Sequence, residues 1–268
     1  MIAISDGTFV LEVYEVGAYV ASLTHGSVDV MLRGDPSRPT RGGMAFLAPF
    51  ANRIKGGTYY FDGVRYELPR NEEGNAIHGL VLGATFDVTD LGDNYVRLET
   101  YLEHPGYPSK LAIAVEYMIR GSLKARAEVK NVGSRRAPLV VGWHPYFVVE
   151  GGWALEGENV KRCLAIGKIP TGDLVEHVFV PNGSYDDCFL VPSGRLVLTS
   201  AHGRVEISSN NMKYFQVYTG VPGAVAVEPM SGAPDAFNNG MGLTVLEPGG
   251  SAEFEFEVRY TSPSPSHP

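Results

Sequence analysis

The chain has 268 residues, 44% hydrophobic and 19% charged, with 32 Gly and 18 Pro. That composition supplies a large core and many turns, and it excludes a disordered chain. A net charge of −8 gives no basic field for a phosphate backbone, which excludes a nucleic-acid partner, and no apolar run approaches the ~18 residues of a membrane span.

In chain order, residues 9–15, 18–23 and 28–32 read as strands, bounded by Gly, Pro and Asp turn residues. Residues 59–61 and 64–68 flank Asp62-Gly63, a pair that tolerates the positive φ of a tight primed turn, and so predict a hairpin. A strand follows at 95–102. Residues 111–119 and 123–130, around Arg120-Gly121-Ser122, predict a second hairpin. Residues 138–143 read as the next strand, and residues 195–200 and 204–208, around Ala201-His202-Gly203, as a third hairpin. Strands at 214–218 and 224–228 precede the clearest element, residues 252–260. There Phe254, Phe256, Val258 and Tyr260 alternate with Glu253, Glu255, Glu257 and Arg259, the mark of a half-buried strand. No amphipathic helix of 12 residues and no internal repeat interrupts this series. The pattern predicts one all-β domain over residues 1–261, a sandwich or barrel, with a mobile Ser/Pro tail at 262–268. Cys163 and Cys188 lack metal-ligand spacing and read as reduced thiols. Together with an N-terminus free of a basic leader, they predict a cytoplasmic protein.

Three stretches read unlike strand-and-turn text: Ala48–Gly57 with Asn75–Leu80 downstream, Val141–Phe147, and Val225–Met230 followed by Pro234–Asn238. Residues before proline are pushed into extended backbone, so His144 and Glu228 should each end a strand. Alternation places Val140, Gly142 and His144 on one face, with Gly142 leaving an opening beside the imidazole. It likewise places Glu228 with Ala224 and Ala226, so the carboxylate faces either solvent or the floor of a cavity. From the residues alone, His144 is open to a structural as well as a catalytic role.

The Asn52-Arg53-Ile54 segment followed by its hairpin, the Asn75-Ala76-Ile77-His78-Gly79-Leu80 run, Gly142-Trp143-His144-Pro145-Tyr146-Phe147, Tyr185-Asp186-Asp187-Cys188-Phe189 and the Val225–Asn238 stretch occur in an order that resembles the aldose 1-epimerase (galactose mutarotase-like) family, closer to its short bacterial and archaeal branch. The resemblance covers the chain from about Phe9 to Tyr260. It implies a large antiparallel β-sandwich that interconverts the anomers of a hexopyranose, with a small sugar as substrate. No metal or organic cofactor is implied, and the protein would be a monomer or homodimer. By motif, Glu228 resembles the catalytic base and His144 the catalytic acid, while Arg53, His78, Asn52 and Asp186 resemble sugar-binding residues. Asp187 competes with Asp186 for that place, because the family often carries Asp-His where this chain has Asp-Asp. Other readings are a surface ion pair for Arg53, a structural histidine for His78 and a turn for the two aspartates. A carbohydrate-binding module, a two-carboxylate glycoside hydrolase and a hexose-6-phosphate epimerase are the rival functions. The last would need a basic cluster, and only Arg53 and Lys55 lie close together near the motifs.

Overall fold

The computed structural model describes residues 1–263 as two large antiparallel sheets, of eleven and eight strands, packed face to face, with three two-stranded sheets beside them. The expected tail falls mostly on residues 264–268, which lie outside the described residues. No described helix is long and apolar enough to cross a membrane.

Alternation decides which side chains fill the space between the sheets. In Ser251–Thr261, Phe254, Phe256, Val258 and Tyr260 are buried while their polar neighbours face out. This strand sits mid-sheet in the eight-stranded sheet, between Leu123–Asn131 and Gly203–Ser208. Trp143 reaches it from the opposing eleven-stranded sheet, with ring centroids 5.1 Å from Phe256 and 5.1 Å from Phe46. Its indole Nε1–H donates to the Tyr117 hydroxyl at 3.2 Å, and that hydroxyl donates to the Ala18 carbonyl at 2.8 Å. Burying each such side chain contributes about 1.5–3 kcal/mol, so the contact firmly fixes the strand that carries His144.

The larger sheet forms the groove. Its central strands run Met44–Leu47, Gly142–Val148, Ala224–Met230, Tyr214–Tyr218 and Asp186–Leu190 as spatial neighbours. The edge beyond Asp186–Leu190 is the hairpin Lys161–Ile166 with Ile169–Glu176.

The Asp62-Gly63 hairpin forms as expected, with both turn residues at positive φ. The third hairpin is tighter than its sequence suggests: Ser200 pairs with Gly203, leaving the two-residue loop Ala201-His202. Two strands differ more. Within 28–32 the strand is only Val28–Asp29, with Met31 making an isolated bridge to Phe147, and 138–143 is split between Ala137–Leu139, which joins Thr244–Leu246, and the separate strand Gly142–Val148. His144 and Glu228 therefore lie inside strands rather than at their ends.

Candidate active site

The register of Gly142–Val148 against Ala224–Met230 pairs Gly142 with Met230 and resumes at Tyr146 with Ala226. Between these points each strand carries a proline, Pro145 and Pro229, that has no N–H to give the ladder. His144 and Glu228 face each other in this gap, with Nε2 3.3 Å from Oε1. Both are buried, yet both line a cavity of about 500 Å³. They stand side by side on its floor. Gly142 does not open space beside the imidazole, because a Cβ there would lie 2.9 Å from the Ala51 side chain. The glycine permits close packing of the 48–52 segment.

Burial dominates the electrostatics of the pair. It pushes Glu228 well above the ordinary carboxylate range, reinforced by the Asp186 charge. It lowers His144 to about 4. Both shifts favour uncharged forms, which places the pair's proton on the carboxyl rather than on the imidazole in the resting state. Tyr146 stacks on the imidazole with centroids 4.9 Å apart, and its hydroxyl donates to the Thr40 carbonyl at 2.7 Å.

The Asn52-Arg53-Ile54 and Asn75–Leu80 motifs form one wall. Arg53–Ile54 pairs with Ala76–Ile77, and the His78 N–H donates to the Asn52 carbonyl at 2.9 Å. Asn52 Oδ1 accepts from the Arg53 N–H at 2.9 Å and from its Nη1 at 3.2 Å. The Arg53 Nε also donates to Glu73 at 2.9 Å, so the guanidinium is buried and fixed rather than part of a surface pair. The Pro234–Asn238 stretch braces this wall: the Asp235 N–H donates to the Arg53 carbonyl at 2.7 Å, and its Oδ1 accepts from the Lys55 N–H at 2.9 Å. His78 meets His144 edge to face, with centroids 5.2 Å apart. Burial pushes the His78 pKa well down, and the neighbouring His144 and the Arg53 guanidinium add to the effect.

Asp186 and Asp187 separate cleanly. Asp186 lines the cavity, accepting from Gln216 Nε2 at 2.9 Å, whereas Asp187 is not among the lining residues and pairs with Arg162 at 2.6 Å. The two stand in a strand, not a turn. Sequence reasoning missed Gln216, Tyr218, Lys168 and Glu73. Gln216 is the cross-strand partner of Glu228, and an amide among Tyr214, Phe215, Val217 and Tyr218 was its one available signal. Cys163 and Cys188 are free thiols, Sγ to Sγ 3.6 Å, and Cys188 opposes Gln216 one strand over.

Glu228 Oε2, Gln216 Oε1, His144 Nδ1 and His78 Nδ1 are buried without a hydrogen-bond partner in the protein. Leaving such atoms unpaired costs about 1–3 kcal/mol each, so the cavity suits a ligand rich in hydroxyl groups that both donate and accept. The arrangement offers a one-proton acid–base pair beside a rigid, hydrogen-bonded wall that carries the buried Arg53 guanidinium.

The sequence model of the Aldose 1-epimerase family matches residues 1–259. The chain is 28% identical to the uncharacterized protein YihR of Escherichia coli K12, over 96% of this chain and 92% of that protein. It is 32% identical to human galactose mutarotase over a shorter stretch, 40% of this chain and 32% of that protein. Among solved structures it is similar to a galactose mutarotase-like protein from Clostridium acetobutylicum, with a TM-score of 0.86 and 19% identity over 97% of this chain and 95% of that one. At that identity the likeness shows the fold.

Proposed function

The chain belongs to the aldose 1-epimerase family, and from that premise we propose that it interconverts the α and β anomers of a hexopyranose by acid–base ring opening and closure. The observation that carries this reading is the His144–Glu228 contact of 3.3 Å on the cavity floor. The hydroxyl and ring oxygens of an anomeric centre are bonded to one carbon, so adjacent acid and base groups reach both.

Passage of the resting proton from the Glu228 carboxyl to His144 Nε2 gives the working form. The Glu228 carboxylate then removes the proton of the C1 hydroxyl, and the imidazolium delivers one to the ring oxygen. The C1–O5 bond breaks and C1 becomes an aldehyde. Rotation about C1–C2 presents the other face of the carbonyl, and the two residues exchange roles as the ring closes. Net proton count is unchanged. Positioned groups of this kind commonly contribute about 10²–10⁴-fold each. Arg53, Asn52 and His78 supply fixed groups to the sugar from one wall, and Asp186 accepts from its hydroxyls at the other.

This reading predicts a bell-shaped pH dependence of kcat/KM. The pair needs one proton in total, so the acid limb is protonation of the imidazole, near its value of about 4, when no base is left. The alkaline limb is loss of the last proton, from a carboxyl whose pKa burial has raised. Both limbs thus differ from those of an isolated histidine acid and an ordinary carboxylate base. Polarimetry across pH 3–10 tests it, and a profile falling only through the unperturbed histidine range near 6.5 contradicts it.

A further inference from the structure

Lys168 occupies an unusual place. It is the second residue of the two-residue turn Gly167-Lys168 that closes the edge hairpin, where Ile166 pairs with Ile169. Gly167 has φ 56° and Lys168 has φ 66°, so both lie in the left-handed region. Glycine or asparagine is favoured at such a position, and a lysine there is held in a conformation its backbone disfavours.

The side chain reaches back into the cavity that holds His144 and Glu228. Nζ lies 2.5 Å from Asp186 Oδ2 and 3.9 Å from Glu73 Oε1. Glu73 in turn holds Arg53 on the opposite wall. An alternating chain of charge, Arg53, Glu73, Lys168 and Asp186, therefore spans the groove from the 48–57 segment to the sheet edge. A surface lysine paired with one carboxylate would need no explanation. This one bridges two walls of the cavity from a strained turn.

We propose that Lys168 is a specificity-determining residue that binds the substrate. An ammonium has three donors; Asp186 at 2.5 Å engages one, while Glu73 at 3.9 Å adds charge from beyond hydrogen-bond reach, so donors remain for a ligand hydroxyl. Asp186 has Oδ1 held by Gln216 and Oδ2 held by Lys168, so carboxylate and ammonium form a fixed acceptor–donor pair. That pair fits two neighbouring hydroxyls of one sugar, one donating to Asp186 and the other accepting from Lys168. Asp186 lies two strands from Glu228, so the hydroxyls gripped belong to the part of the ring away from the reacting carbon. The identity of the ligand as a sugar rests on the epimerase reading; the gripping pair does not.

The test compares the whole protein with Lys168→Met against glucose, galactose and their 3-, 4- and 6-deoxy derivatives. Turnover is read by polarimetry, and affinity by NMR titration in both proteins. Lys168→Met should raise KM and the dissociation constant about tenfold while kcat stays within about threefold, as for one charge-assisted hydrogen bond. The wild type should discriminate against the deoxy sugar lacking the gripped hydroxyl, and the variant should lose that discrimination. Unchanged affinity with an unchanged deoxy profile overturns the proposal. If the wild type binds sugars without turning them over, the epimerase reading fails alone, and the affinity comparison still decides the role of Lys168. Binding of none of these sugars by the wild type overturns the proposal for Lys168, and the epimerase reading is then decided separately by anomer exchange.

Discussion

Glu228→Gln is expected to lower kcat by about 10³-fold while the protein remains folded. The amide has the shape of the carboxyl but cannot accept the C1 hydroxyl proton. Stability should be retained or improved, for a reason found in the sign of the shift. Glu228 ionises less readily in the fold than in the unfolded chain. The fold therefore loses stability as pH rises from the ordinary carboxylate range toward the raised value, and glutamine removes that loss. His144→Asn should cost a similar factor in kcat. Because the two residues handle one proton as a unit across 3.3 Å, the double variant should lose little more than either single one. Turnover by polarimetry and thermal unfolding on the same samples check this. Near-native kcat in Glu228→Gln, or fully additive losses, would separate the pair from the chemistry.

Gly79→Ala is expected to damage both stability and activity. Gly79 follows His78 with φ 79°, and a Cβ there would stand 2.2 Å from the Ala48 carbonyl oxygen and 2.8 Å from its carbon. Those are backbone atoms, and the Leu80 N–H already donates to that same carbonyl at 2.8 Å. The clash cannot be relieved by a side-chain rotation. It must shift the segment that carries His78 against Asn52. Strain and overpacking together amount to about 3 kcal/mol, or roughly 6–12 °C in Tm for a chain of this size. Gly74→Ala is the control: its φ of 81° carries the same backbone strain, but a Cβ there meets nothing within 4 Å. It should cost about 1 kcal/mol and leave kcat unchanged. Equal unfolding temperatures for the two variants would remove the close approach at Ala48 as the reason for the His-Gly motif.

The fold was legible wherever one face of a strand is buried and the other wet. Residues 252–260 alternate without exception, and 111–130 announces its own hairpin. Asp87–Gly92 was not legible, because it is exposed along its whole length and nothing selects one face. Much of the Lys161–Glu176 hairpin is exposed on both faces too, which hid Lys168. At the site, the motifs identified His144, Glu228, Arg53, Asn52 and His78, and all of them line one cavity. What the chain could not disclose was register. The pairing of His144 with Glu228, and of Glu228 with Gln216, depends on how three strands distant in sequence align. Gly142 misled for the same reason: its missing side chain accommodates Ala51, a neighbour that only tertiary packing supplies.

The most direct measurement is exchange NMR between the α and β anomers of glucose, galactose, sulfoquinovose and glucose 6-phosphate at neutral pH, with catalytic amounts of protein. Exchange far above the buffer rate for at least one sugar, falling back to the buffer rate with Glu228→Gln, is the predicted result. Buffer-rate exchange for every sugar with folded wild-type protein, or equal acceleration by the variant, would contradict it.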